Sequence, residues 1–214
     1  DAGAGARLVP GADARLPAVD ARDTVVAAGC GAAARTGLPV RPGMGHVLRL
    51  RAPGRGTPDF RHVIRGYADG ESVYLVPRVD GEVVLGATVE ERADTEVTAG
   101  AVLRLLRAAV DLVPDLAEYD LVEAAAGLRP GTPDNAPILG PLPGRPGVLV
   151  ATGHHRHGIL LTPVTADLIA ELVVTGAADP LLAPFAPDRF TAGAAARAAG
   201  RDRIAPTPEE ETCN

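Results

Sequence analysis

Residues 127–161 read GLRPGTPDNAPILGPLPGRPGVLVATGHHRHGILL, and the fold follows from how this stretch is punctuated. Two polar turns, GLRPGT at 127–132 and GHHRHG at 153–158, each stand at the end of a predicted strand. The apolar run 147–151 between them predicts a short buried strand. After Gly158 the spacing becomes helical, with Leu160, Leu161, Val164, Leu168, Ile169, Leu172 and Val173 expected on one face. Pro163 falls in the first turns of that helix, where a missing N–H costs little, and Gly176 supplies a glycine stop for a helix over 158–175. An arginine at one strand end and an N–H-rich turn opening a helix would both suit one anionic ligand.

Working outward, residues 121–128 predict the strand that leads into Arg129. Before it, residues 99–113 carry a helical apolar stripe, with Thr98 as N-cap and Pro114 as the stop. Residues 46–51, 62–66, 72–77 and 82–88 read as half-buried strands, and Asp80-Gly81 marks a hairpin between the last two. The alternation in VLRLR at 47–51 fits an antiparallel sheet with one wet face. The β-branched run at 24–28 lacks alternation and predicts a strand buried on both sides, ending at Gly29-Cys30-Gly31. A further short apolar run occupies 6–10, and Pro39, Pro42 and Gly43 mark a boundary. The expected class is α/β, with a strand-rich unit at 41–147 inserted into a first unit formed by 1–40 and 148–190. An Ala/Arg/Gly-rich tail at 191–214 is expected to be disordered.

The 214 residues are 46% hydrophobic and 22% charged, with a net charge of −6 and no lysine. That balance, with no basic run and few aromatics, argues against nucleic-acid binding. No apolar run reads as long enough for a membrane span, so no membrane association is expected. Two cysteines make no disulfide framework, which suits a reducing cytoplasm. The sequence opens at Asp1 without a methionine and reads as the middle of something longer. Oligomeric state, homo-oligomer included, is left open.

Arg129, at a strand end before Pro130-Gly131, can grip a carboxylate through two parallel hydrogen bonds; the alternative is a surface position or a pair with Glu123 or Asp134. The turn at 153–158 can offer N–H groups and a helix dipole to an anion, or be an ordinary loop. His154, His155 and His157 invite a metal reading, but no Asp, Glu or Cys completes a ligand set nearby, so no metal is expected. Tyr74, one of three tyrosines, either touches a polar ligand or packs its ring. Cys30 has no placed base and is set aside as a nucleophile. The chain has no G-x-S-x-G, Walker loop or G-x-G-x-x-G after a first strand.

Together the phrases TVVAAGC (24–30), VYLVPR (73–78), GATVE (86–90), GLRPGTPDN (127–135) and GHHRHGILL (153–161) resemble the flavin-dependent D-amino-acid oxidase group and, within it, the glycine oxidases of thiamine biosynthesis. The similarity runs over about residues 6–190 and corresponds to the C-terminal half of a family member. It implies part of an FAD-binding Rossmann-like domain with an inserted antiparallel-sheet substrate domain. It implies oxidative deamination of glycine or a similar small amine, with hydride passing from the substrate α-carbon to flavin N5. Imine hydrolysis would give ammonia and an oxo acid, and molecular oxygen would be reduced to hydrogen peroxide. By the same resemblance Arg129, Tyr74 and Arg156 would bind substrate. Gly29, His154, His155, Arg156, His157, Gly158, Ile159 and Leu160 would line the FAD, and no side chain would be catalytic. His157 stands where the family usually has Asn, and the first βαβ unit with its dinucleotide loop has no counterpart here. The 214 residues alone are therefore expected to be inactive. Two other readings stay open: a non-catalytic remnant or partner-binding module unable to hold FAD, and an oxidase of another D-amino acid or an N-methyl glycine.

Overall fold

The computed structural model describes residues 21–55, 58, 60–68 and 70–190. The strand expected at 6–10 and the tail at 191–214 lie outside the described residues. The chain divides into two compact units, one comprising Asp1–Val40 and Thr132–Asn214, the other Arg41–Gly131.

The first unit opens with β1 (Thr24–Val26) and a five-residue helix, α1 (Ala32–Thr36), which ends at Gly37 in the left-handed region. The chain then enters the second unit through β2 (Arg41–Arg51), β3 (Ile64–Ala68), β4 (Glu71–Pro77) and β5 (Glu82–Gly86). After α2 (Ala99–Leu112) comes β6 (Asp120–Gly131). These strands form one five-stranded antiparallel sheet in the order β3-β4-β5-β2-β6. Period-two alternation puts Leu48, Leu50, Val73, Leu75, Val83 and Leu85 on one face, where they bury Leu105, Ala108 and Ala109 of α2. Thr98 caps α2 by accepting from the Ala101 N–H at 3.3 Å, and the chain leaves the helix at Val113 before Pro114.

β2 starts five residues before the expected 46, taking in Pro42 and Gly43. Its first three residues pair only with β6, Pro42 opposite Pro130, before Met44 bridges to Glu90 and β5 joins at Val47. A strand with one free edge there tolerates a residue that cannot donate. β3 lies two residues later than expected, and β5 stops at Gly86 rather than 88. A bulge at Arg49/Leu50 leaves Val122 unpaired in the ladder.

The return to the first unit comes sooner than the expected 148. β7 (Ile138–Pro141) pairs antiparallel with β8 (Val148–Thr152), and β8 runs parallel to β1. The inserted unit therefore ends at Gly131, not 147. Pro137, Gly140 and Pro141 disguise β7 as a loop in the sequence. Val26, Ala32, Val40, Ile138, Leu142 and Val150 make one buried cluster around this sheet; Leu139, Leu149, Ile169, Leu172 and Leu182 make another, including α3 (Gly158–Thr175). Two short 3₁₀ segments, Pro180–Phe185 and Pro187–Phe190, follow.

The expected apolar stripe of α3 holds in its second half and is corrected in its first. Ile169 and Leu172 are buried with Leu168 and Val173 packed beside them, while Leu160 is 75% exposed and Val164 is exposed too. The helix is apolar nearly all round, so the sequence alone does not choose its buried side. By length and composition His155–Thr175 could also cross a membrane, which corrects the expectation that no run reaches that length.

Candidate active site

The expected site residues fall on both units. Arg129 and Tyr74 belong to the unit Arg41–Gly131, whereas Gly29 and residues 154–160 belong to the other.

In the sheet of the inserted unit, Tyr74 pairs with Gly86, Gly86 with Val47, and Arg129 with Gly43. Cross-strand partners share a face and side chains alternate along each strand, so Tyr74, Gly86, Gly43, Gly45, Val47 and Arg129 all lie on the face opposite α2. The register thus brings Arg129 and Tyr74 together on one surface. The Arg129 guanidinium lies over Gly45, and the hydroxyl end of Tyr74 lies over Gly86; a Cβ at either glycine would collide with it. Arg129 Nη1 also donates to the Thr88 carbonyl at 3.4 Å. The acids offered as alternative partners have other guanidiniums. Glu123 accepts from Arg49 at 2.9 Å, and Asp134 from Arg189 at 2.8 Å.

Thr88 is held by His46, which is fully buried. The His46 N–H donates to Thr88 Oγ1 at 2.9 Å, Nδ1 lies 2.7 Å from the same oxygen, and Nε2 lies 3.3 Å from the Glu96 carbonyl. A carbonyl only accepts, so Nε2 carries a proton, and in the neutral ring Nδ1 accepts from the Thr88 hydroxyl. The sequence reading did not single out His46, Thr88, Gly45 or Gly86. Gly86 and Thr88 stand in the phrase GATVE without a role given to either, and Gly43 and Gly45 spaced by two inside a strand mark a close approach. Towards the other end of this face Glu82, almost fully buried, accepts from Arg49 Nε at 2.8 Å and from Arg51 Nη2 at 2.6 Å. Its hydrogen bonds to Arg49 and then Arg51 hold the carboxyl below its ordinary pKa.

In the first unit, β8 ends at Thr152, whose hydroxyl donates to the Gly29 carbonyl at 3.0 Å. That bond ties the turn after β1 to the turn after β8. Gly153 follows at φ 78°, where a side chain would be strained and a Cβ would lie 2.6 Å from Thr132 Cγ2. His155 takes φ 48°, and His155–His157 form one 3₁₀ turn that runs into α3 at Gly158. No side chain caps α3 at His157, so its first N–H groups and about half a positive charge of dipole point out of the helix end. His154 Nε2 lies 3.1 Å from Thr165 Oγ1, and burial lowers the pKa of its ring. Arg156, His157, Ile159 and Leu160 are exposed, and Gly158 is half-buried. Burial raises the Cys30 thiol above its ordinary pKa, the reverse of an activated nucleophile. Among the described residues no group of three His, Cys, Asp or Glu is placed to hold a metal ion.

The family model described as "FAD dependent oxidoreductase" matches residues 2–172. The chain is 39% identical over 183 residues to the "Bifunctional protein ThiO/ThiG" of Trichormus variabilis, covering 85% of this chain and 28% of that protein. It is 39% identical over 171 residues to the glycine oxidase of Geobacillus kaustophilus, covering 77% of this chain and 44% of that one. The crystal structure of iminodiacetate oxidase from Chelativorans sp. BNC1 superposes with a TM-score of 0.70 at 32% identity, covering 79% of this chain and 47% of that one. The chain thus spans about a quarter to a half of the length of these relatives.

Proposed function

The chain belongs to the family of FAD-dependent oxidoreductases, and from that premise we propose that it is part of a cytoplasmic oxidase that deaminates glycine or a similarly small amino acid. The products are an imine and then an oxo acid, ammonia and hydrogen peroxide, and the reaction feeds the thiazole half of thiamine. Because the chain spans under half of these relatives, the activity proposed is that of a protein of their length carrying these residues. The observation that carries the reading is the placement of the Arg129 guanidinium and the Tyr74 hydroxyl on one sheet face above a glycine floor.

The residues after β8 fit a flavin. The uncapped start of α3 offers N–H groups to an acceptor edge, and the exposed Ile159 and Leu160 offer apolar surface beside it. Residues 154–160 and Gly29 would hold it, with Gly153 and His155 fixing the turn. When bound, FAD supplies the two-electron acceptor that takes the substrate's α-hydrogen with its electron pair and is reoxidised by oxygen to release peroxide.

Everything else falls to this chain's own groups. Arg129 pairs with the substrate carboxylate, and its planar fork fixes the orientation as well as the charge. Tyr74 donates its hydroxyl to the same carboxylate. Arg156 is exposed on the turn before α3, in the other unit. The dipole of α3 would favour negative charge on an acceptor held at that helix end. A neutral amine needs no base, so no acid–base pair is invoked.

The test joins residues 1–214 to the part of the Geobacillus kaustophilus glycine oxidase that they do not match, alongside the 214 residues alone with added FAD. The joined protein is expected to be yellow and to release peroxide from glycine, and the 214 residues alone to stay colourless. A joined protein that holds flavin yet oxidises neither glycine, N-methyl glycine, iminodiacetate nor D-alanine would sink the proposal.

A further inference from the structure

We propose that Gly45 and Gly86 are positioning residues: lacking a Cβ, they let the Arg129 guanidinium and the Tyr74 ring lie down on the sheet, and so fix the height at which a carboxylate is gripped. The proposal rests on the reading of Arg129 as the carboxylate anchor given above.

Neither glycine takes a left-handed φ, so that conformation does not call for glycine at either place. Space does. A Cβ built on Gly45 would lie 2.6 Å from Arg129 Cζ, and one built on Gly86 would lie 2.9 Å from Tyr74 Cε2. Nearer atoms of both groups would clash harder still, and since atoms in contact normally stand about 4 Å apart, each group would have to rise by roughly 1.5 to 2 Å. Gly127 provides the contrast. It is on the same strand and face as Arg129, two residues away, and a Cβ there would meet nothing within 4 Å.

The register also sets the spacing of the two groups. Gly86 pairs with Val47, and Gly45 is two residues before Val47 on β2, so the two glycines are diagonal neighbours. Diagonal positions on one sheet face are about 7–8 Å apart, a span that one carboxylate with its first carbons can bridge. Thr88, secured by His46, holds the guanidinium from the side at 3.4 Å. With the floor removed by two glycines and the flank fixed by Thr88, the clamp is shallow and rigid. Such a clamp suits a short carboxylate approaching flat against the sheet.

The test uses the 214-residue chain and acetate as probe, titrated by NMR at the Arg129 Nε–H and the Tyr74 ring signals. Gly45→Ala and Gly86→Ala are expected to weaken acetate binding at least tenfold, with shifted Arg129 or Tyr74 signals before acetate is added. Gly127→Ala is expected to stay within twofold of the parent chain. Should Gly45→Ala fail to fold, Gly45→Ala/Arg129→Ala is expected to melt with Arg129→Ala, since the three atoms nearest the added methyl all belong to Arg129. A Gly45→Ala protein that binds acetate like the parent, or a double variant that stays unfolded, would overturn the proposal. Arg129→Ala binding acetate as tightly as the parent would instead remove the reading of Arg129 itself.

Discussion

In the proposed carboxylate clamp Arg129 acts through geometry as much as charge, because its guanidinium lies across the backbone of β2. In the flavin-bearing joined protein, Arg129→Ala is expected to raise KM for glycine by about two orders of magnitude. That corresponds to about 3 kcal/mol for a lost charge-assisted bidentate contact; steady-state kinetics read it, and an unchanged KM removes Arg129 from the site. Glu82 sets an acid limit on the same sheet. Its carboxyl pKa is lowered when folded, so its contribution is fully present above the ordinary value of 4.5 and is lost as pH falls through the folded value. Urea unfolding across that range should show the stability of Glu82→Gln falling less steeply with acid than that of the parent chain. His154 follows the same sign at higher pH. Its folded pKa is depressed by burial, so stability is complete above 6.5 and declines as pH drops below it; His154→Gln should lack that decline.

At the scale of elements, the segment after α3 is tied to the loop after Gly131 through one side chain. Arg189 donates to both Asp134 oxygens and to the carbonyls of Phe185, Ala186 and Ala136, and it stacks over the Phe190 ring at 4.2 Å. Burial pushes the Asp134 carboxyl up, but the hydrogen bond from Arg189 with those from Ala136 and Thr132 outweighs it and leaves the pKa lowered. Arg189→Ala should cost about 2–3 kcal/mol in denaturant unfolding, the scale of charged hydrogen bonds lost from partly buried acceptors; a loss under about 0.5 kcal/mol would contradict this. Elements with local signals were legible in the sequence. Thr98 and Pro114 bracket α2, and Asp80-Gly81, with Gly81 at φ 85°, turns β4 into β5. Elements defined by a distant partner were not. β7 is a strand because Ile138 pairs with Thr152, across a proline- and glycine-rich stretch that reads as loop. The first half of β2 was hidden because only β6, some ninety residues later, gives Pro42 its place. In the candidate site, the motifs carried Arg129 and Tyr74 and included Gly86, while the roles of His46 and of the glycine floor depend on register and packing between distant strands.

For the whole molecule, the unequal burial of α3 matters most. Ile159, Leu160 and Val174 are largely exposed on a helix whose other side holds Ile169 and Leu172 in the core. Exposed apolar surface of this kind favours self-association. Leu160→Glu in the 214-residue chain should therefore raise the concentration at which it stays monomeric by light scattering. Its unfolding free energy should move by no more than about 0.5 kcal/mol, as for an exposed position. A further consequence comes from the ladder of β2 and β6, whose outermost pair is Arg41 opposite Gly131. Those two residues are also the first and last of the inserted unit, so the chain leaves and rejoins the first unit at neighbouring points. Ninety-odd residues are thus hung from a doorway one strand-spacing wide, about 5 Å. Such an insert can be transplanted as a cassette: a two-residue turn could close the gap it leaves, and a host loop with similarly close ends could receive it.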